Sequence, residues 1–152
     1  MVENIYLQAN LGYLDATFGN YAKANGDFVA IQQQAQAPKY TAYVSSTWAL
    51  TKQLSWNVNL TLSQNKIVGF DELIYDYTNG FDIIEVKQKD VDIALSPNII
   101  SSSEISFKPN EGVEVALLTR YVGEQFLDNT SNNDSKLDAY LVNDLRLQAV
   151  IP

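Results

Sequence analysis

The chain has 152 residues, 46% hydrophobic and 18% charged, and its formal net charge is −8. It contains neither Cys nor His, which excludes a disulfide scaffold, the usual structural zinc site and a catalytic unit with a histidine base. The acidic balance argues against a nucleic-acid partner, because phosphate neutralisation needs clustered Lys and Arg. We expect one domain spanning residues 1–152, without enzyme activity or a cofactor.

The sequence shows neither of the two common signals for membrane insertion or export. The sequence has no apolar run of about 18 residues and no basic segment followed by an apolar stretch at its start. Neither a transmembrane helix nor a signal peptide is therefore predicted. Transmembrane β-strands alternate between apolar and polar residues, so a hydropathy window does not detect them.

Alternation of apolar and polar residues predicts about six strands and no helix. In chain order they cover Ile5–Tyr13, Tyr40–Leu50, Leu54–Asn65, Ile99–Phe107, Val113–Tyr121 and Leu137–Ile151. The third is the clearest, because its apolar side chains occupy every even position and small, neutral polar ones the odd positions. The expected fold is an all-β antiparallel meander of long strands.

The connections alternate between short and long. Short turns surround residues 51–53 and 108–112, whereas the long connections cover Phe18–Pro38, Val68–Asn98 and Gly123–Lys136. Transmembrane barrels have this layout, with tight turns on one side and long loops on the other. Compact soluble domains rarely contain several loops longer than about 12–15 residues.

Two interpretations of the alternation stay open on periodicity alone. In a soluble β-sandwich or jelly-roll binding module, such as a carbohydrate-binding one, the apolar face packs into a dry core. In a partial transmembrane β-barrel the apolar face meets lipid and the polar face lines the lumen. Strand lengths, aromatic residues near strand ends and the concentration of charge in loops favour the barrel.

A series of segments carries a family resemblance. They are Asn10–Ala16 (NLGYLDA), Ala37–Thr41 (APKYT), Asn65–Glu72 (NKIVGFDE), Asp92–Asn98 (DIALSPN), Arg120–Thr130 (RYVGEQFLDNT) and Lys136–Leu147 (KLDAYLVNDLRL). In this order they resemble the C-terminal part of the β-barrel of TonB-dependent outer-membrane receptors, of the Bacteroidetes type. The segment at 120–130 looks like the run in which a strand climbs into an extracellular loop.

The resemblance implies a parent barrel of about 22 strands around a plug domain. Such a receptor lies in the outer membrane of a Gram-negative bacterium and imports a scarce nutrient, for example a ferric siderophore, a vitamin or a glycan. Its partners would be outer-membrane lipid, the plug, TonB and a small nutrient ligand. No plug, TonB box or terminal aromatic strand is recognisable, so we expect the chain to be a piece of a barrel with two open edges.

Three sets of residues are candidates for function. Aromatic side chains of the long middle connection could stack on a ligand or anchor the loop on the barrel rim: Phe70, Tyr75, Tyr77 and Phe81. Charges expected on the lumen face could contact the plug or substrate, or pair across strands: Glu104, Glu114, Arg120, Asp138, Asp144 and Arg146. The expected lipid-facing row comprises Leu54, Trp56, Val58, Leu60 and Leu62. The acidic residues of the middle connection lack calcium-loop spacing, so no metal site is predicted.

Overall fold

The computed structural model describes residues 4–14, 21–22, 28–29, 39–78 and 80–150. Its strands are β1 (Asn4–Tyr13), β2 (Tyr21–Ala22), β3 (Phe28–Val29), β4 (Tyr40–Ala49), β5 (Leu54–Gln64), β6 (Lys66–Asp76), β7 (Asp82–Asp92), β8 (Ile99–Asn110), β9 (Val113–Val122), β10 (Gln125–Phe126), β11 (Lys136–Leu137) and β12 (Tyr140–Ala149). Six of these form one antiparallel sheet in the order β1-β4-β5-β8-β9-β12. The remaining strands pair as β2–β3, β6–β7 and β10–β11. The predicted all-β antiparallel meander is confirmed.

The connections of the main sheet alternate in length, as the sequence predicts. The β4–β5 turn is closed by the Thr51 hydroxyl, which accepts hydrogen bonds from the backbone N–H groups of Gln53 (3.1 Å) and Leu54 (2.9 Å). In the β8–β9 turn, Asn110 Oδ1 accepts from the Gly112 N–H at 2.9 Å. Such local side-chain bonds favour turns. The three longer connections leave the opposite end of the sheet, and each contains one two-stranded hairpin.

The prediction of a loop from Val68 to Asn98 was wrong over most of its length. Residues 66–92 form the β6–β7 hairpin, paired from Lys66↔Asp92 to Asp76↔Asp82. Neither face of this ribbon is uniformly buried, and exposed apolar side chains such as Leu73 and Ile74 stand next to each other in sequence. Period-2 alternation arises where one face is buried, so this hairpin lacks that signal.

Two further boundaries differ from expectation or fall outside the described part. The last long strand begins at Tyr140 and not at Leu137, because Lys136 and Leu137 pair with Phe126 and Gln125 in the small β10–β11 hairpin. Of the first long connection, expected over residues 18–38, only β2 and β3 lie within the described residues. The predicted end of the last strand at Ile151 also lies outside them.

The main sheet has two unlike faces. On the apolar face, one row across the strands runs Ile5, Trp48, Trp56, Ile105, Leu117 and Leu145. The adjacent row on the polar face runs Tyr6, Thr47, Asn57, Glu104, Leu118 and Asp144. We call these two surfaces the apolar face and the polar face.

Little of the molecule is fully buried. A small hydrophobic cluster of Ile67, Val91 and Ile93 lies at the base of the β6–β7 hairpin. On the polar face, Ala116 is 0% exposed and its cross-strand neighbour Ser106 is 5% exposed. Among the described strands the principal contacts are those between hydrogen-bonded neighbours, and none packs across the apolar face. No described residue belongs to a helix that is both long and apolar enough to cross a membrane.

Candidate functional site

The five residues of the expected apolar row lie together on the apolar face of β5. Leu60 is 38% and Leu62 43% exposed, whereas Leu54, Trp56 and Val58 are half-buried by their neighbours in the sheet. The dry core that a sandwich would form around this row is absent from the described part of the chain. A contiguous exposed apolar surface of this kind is rare on soluble monomers and marks contact with a partner or a membrane.

Both tryptophans of the chain belong to this face and are directly opposite each other. Their rings lie 5.5 Å apart at 54°. Trp56 Nε1 donates to Ser103 Oγ at 2.8 Å, and Trp48 Nε1 donates to Ser46 Oγ. Ser46 in turn donates to the backbone carbonyl of Tyr6 at 3.2 Å. The indole N–H groups therefore need no water as a partner, which suits a surface facing a poor hydrogen-bonding solvent.

Three of the six charged residues expected on the lumen face form one ion-pair network. Arg146 Nη2 contacts Glu104 Oε1 at 2.6 Å and Glu114 Oε1 at 3.0 Å, and Lys108 Nζ contacts Glu114 Oε2 at 3.2 Å. Ser106 adds a hydrogen bond to Glu104 Oε1 at 3.1 Å. The network spans β8, β9 and β12 near the short turns. The network neutralises charge across strands, as expected if these residues pair with one another.

The other three charges are not brought together. Arg120 lies on the polar face between Ser102 and Val142, and Asp144 lies opposite Leu118 on the same face. Neither forms an ion pair with a described residue. Asp138 does not lie in the main sheet, because it falls between β11 and β12.

Three of the four candidate aromatic residues gather at the tip of the β6–β7 hairpin, and we call them the aromatic tip. Phe81 lies 6.0 Å from Tyr75 with the rings nearly parallel at 23°, and 5.6 Å from Tyr77 at 53°. All three are more than half exposed, at 55% for Tyr75, 72% for Tyr77 and 64% for Phe81. Rings presented in this way can contact a ligand or a partner surface.

Phe70 is separate from the aromatic tip. It packs against the buried cluster of Ile67, Val91 and Ile93 at the hairpin base. The contacts of Phe70 agree with the alternative that aromatic residues anchor the middle connection. The other three rings are exposed, so they remain candidates for contact with a ligand.

The hairpin base is fixed by Asn65, which is 5% exposed. Its side-chain Nδ2 lies within hydrogen-bond distance of Ser63 Oγ (2.8 Å) and of oxygen atoms of Ser96, Pro97 and Asn98 (each 3.2 Å). Its backbone carbonyl accepts from the Ile93 N–H at 3.0 Å. Asn65 thus holds together the two chain segments that enter and leave the hairpin.

A second set of contacts joins the hairpin base to the β9–β12 connection. Ser131 Oγ accepts from the Asp92 N–H at 2.7 Å, and Asn129 Oδ1 accepts from the Ala94 N–H at 2.7 Å. The Leu95 N–H donates to the Phe126 carbonyl at 2.8 Å. Three of the segments singled out in the sequence, 65–72, 92–98 and 120–130, therefore converge here. We call this region the junction.

The backbone of the junction contains unusual conformations. Leu95 has φ = 54° and Ser131 φ = 53°, and Asp90 at the end of β7 has φ = 52°. Positive φ is uncommon for residues other than glycine and is an outlier for a side chain as bulky as leucine. Leu95 and Ser131 adopt these conformations where hydrogen bonds join residues 92–95 to the β9–β12 connection.

Two carboxylates near the long connections have lowered pKa values. The hydroxyl and backbone N–H of Thr78 donate to Asp76 at 2.6 and 2.8 Å and lower its pKa. Hydroxyl groups of Thr130 and Ser135, with the Thr130 N–H, lower the pKa of Asp128. Both groups are therefore ionised at neutral pH. Within the described ranges, no group of three acidic side chains has a geometry that could hold a metal ion.

The comparisons with known proteins identify no relative. No protein-family model matches the chain, and no curated protein or solved structure matches it.

Some residues of this geometry were not among the sequence candidates. Trp48 occupies an even position in β4, as the other residues of that strand on the apolar face do, so the alternation already indicated its place. Lys108 precedes the short turn opposite Glu114, which is a pattern of cross-strand pairing. Ser46 and Ser103 gave no sequence signal, because their role depends on the register that brings each next to an indole N–H.

Proposed function

We propose that the chain forms part of the wall and outer rim of an outer-membrane TonB-dependent receptor that imports a scarce nutrient in a Gram-negative bacterium. The nutrient would be a ferric siderophore, a vitamin or a glycan. In this proposal the apolar face meets lipid, the polar face lines the lumen, and the long connections emerge on the outside. The plug domain and TonB are proposed partners of the complete receptor.

The observation that carries the proposal is the contrast between the two faces. The apolar face is uncovered by other described elements, yet its indole N–H groups are hydrogen-bonded within the sheet. The polar face carries the charged groups and pairs several of them across strands. A transmembrane barrel requires this arrangement, because lipid cannot satisfy polar groups whereas an aqueous lumen can hold charge.

The placement of the connections also supports the proposal. All three long connections leave the same end of the sheet, as extracellular loops do, and short turns occupy the other end. Three of the segments that resemble the receptor family lie at the former end and contact each other in the junction. Sequence resemblance and spatial proximity thus concern the same part of the molecule.

The two tryptophans allow a direct test of the lipid-facing assignment. The purified chain would be reconstituted into phosphatidylcholine vesicles with or without bromine atoms on the acyl chains, which quench nearby indole fluorescence. We expect strong quenching for the wild type and for each single-tryptophan variant, Trp48→Phe and Trp56→Phe. The same chain in bromine-free vesicles is the control.

A water-soluble quencher provides the opposing measurement. Iodide should quench the reconstituted tryptophans weakly if the apolar face meets lipid. Efficient iodide quenching together with no response to brominated lipid would overturn the proposal and favour a domain that remains in water.

A further inference from the structure

The aromatic tip is an exposed surface whose chemistry is specific. The ring of Phe81 stacks on that of Tyr75 and lies tilted against that of Tyr77, so the three rings form one exposed aromatic group at the end of the hairpin. A ring face carries negative electrostatic potential, so it attracts cations as well as apolar groups. A turn does not need an aromatic side chain to close, so closing the hairpin does not account for three exposed rings at its tip.

The hairpin that carries these rings is strongly acidic. Residues 66–92 contain seven Asp and Glu against three Lys, a net charge of −4 within a chain of −8. Asp76 and Asp82 face each other at the last strand pair before the tip. The nearest lysine to the tip along β7 is Lys87, four residues and about 13 Å from Ile83, which is the strand partner of Tyr75. Lys87 lies opposite Asp71.

The carboxylates at the tip are held in place by local bonds. Asp76 Oδ1 accepts two hydrogen bonds from Thr78, and Asp82 Oδ1 accepts from the Ile83 N–H at 2.8 Å. These contacts engage one oxygen of each carboxylate. Negative charge is therefore fixed next to the rings.

We propose that the aromatic tip binds a small organic cation, an ammonium-bearing solute, through the faces of Tyr75, Tyr77 and Phe81. The proposal rests on the proposed function in taking this ligand as the imported nutrient or a cationic part of it. An anionic ligand would be repelled by the net negative charge of the hairpin, and a neutral ligand would lack the charge attraction to its carboxylates. Cation–π attraction together with the acidic hairpin selects the positively charged class.

The test uses choline and a neutral molecule of the same shape, 3,3-dimethylbutan-1-ol. Each would be titrated into the full chain in a maltoside detergent, which has no ammonium group. Binding would be followed by saturation-transfer NMR of the methyl protons. We expect saturable choline binding that is about fivefold to tenfold tighter than that of the neutral molecule.

Variants then locate the binding surface. Phe81→Ala should weaken choline binding about fivefold or more, because it removes the central ring. Tyr77→Phe keeps a ring and should bind choline almost as well as the wild type. Tyr140→Ala removes an exposed ring at the start of β12, away from the hairpin, and serves as the matched control.

Three results would overturn the proposal: no saturable choline binding, equal affinity for the neutral molecule, or equal loss in the Phe81→Ala and Tyr140→Ala variants. The fluorescence test of the apolar face does not involve the aromatic tip. Failure of choline binding with intact lipid quenching would therefore refute the cation site alone, whereas loss of lipid quenching would refute the proposed function.

Discussion

At the scale of single residues, small polar side chains accompany both tryptophans of the apolar face. Ser46 and Ser103 accept from the two indoles, and Thr119 donates to Asn143 Oδ1 at 2.7 Å in the same cross-strand row as Ser46 and Ser103. A serine hydroxyl at these positions provides a hydrogen-bond acceptor for the indole N–H, which an apolar side chain would not. The energetic cost of losing such a partner is larger than the gain from making it, because the remaining N–H stays unsatisfied.

We therefore expect Ser103→Ala to lower the free energy of unfolding by about 1–2 kcal/mol in a lipid or detergent environment. Ser101→Ala is the matched control, because Ser101 lies on the same strand and face and makes no side-chain hydrogen bond with a described residue. Urea unfolding followed by circular dichroism measures both. An equal effect of the two substitutions would show that the bond to Trp56 contributes nothing.

The turn at Asp128 should respond to acid. Hydrogen bonds from Thr130 and Ser135 lower its pKa from the ordinary value of 3.8. A carboxyl group with a lowered folded-state pKa stabilises the folded turn above its unfolded pKa, and this contribution is lost as the pH falls through the folded value. We expect the Thr130 amide resonance to titrate below pH 3.8 and Asp128→Asn to abolish that titration. A midpoint at or above 3.8 would contradict the geometry.

At the scale of elements, the β6–β7 hairpin depends on the junction for its position. An isolated two-stranded hairpin is marginally stable in water, and the described contacts that hold this one to the rest of the chain are concentrated at its base. Asn65 and the Asn129–Ser131 turn supply hydrogen bonds there, and Phe70 covers the small buried cluster. The hairpin is thus a projecting arm with a fixed base and an exposed tip.

Asn65→Ala should release that base. It removes a buried amide that lies next to four oxygen atoms, and we expect a loss of about 1–3 kcal/mol and faster amide hydrogen exchange across residues 66–92. Asn59→Ala is the control, because Asn59 donates only to Ser102 Oγ among the described residues. If exchange in the hairpin were unchanged in Asn65→Ala, its position would not depend on this side chain.

The elements also show which structural features the sequence could predict. The six long strands were predicted because their apolar and polar side chains alternate between two faces, as in Leu54–Leu62. The β6–β7 hairpin was not, because neither of its faces is uniformly buried and its strands need only backbone pairing and a turn. Of the four aromatic candidates, Tyr75, Tyr77 and Phe81 lie together in the structure, and Phe70 could not be separated from them without knowing the register of the hairpin.

At the scale of the whole molecule, the proposed function places the two faces of the sheet in different solvents. Leu60→Arg and Thr61→Arg test this, because the two residues are adjacent on β5 and lie on opposite faces. In lipid we expect Leu60→Arg to cost about 2–4 kcal/mol and Thr61→Arg at most about 1 kcal/mol. Urea unfolding of the reconstituted chain measures both variants. A larger cost at Thr61 would reverse the assignment of the faces.

A cysteine scan of β5 tests most directly whether the apolar face meets lipid, and the chain has no native cysteine to interfere. Single cysteines at residues 55–62 of the lipid-reconstituted chain would be reacted with a water-soluble maleimide. We expect labelling at the odd positions and protection at the even ones, with protection lost on denaturation. Equal labelling at odd and even positions, or protection of the even positions in water without lipid, would contradict the assignment of the apolar face to lipid.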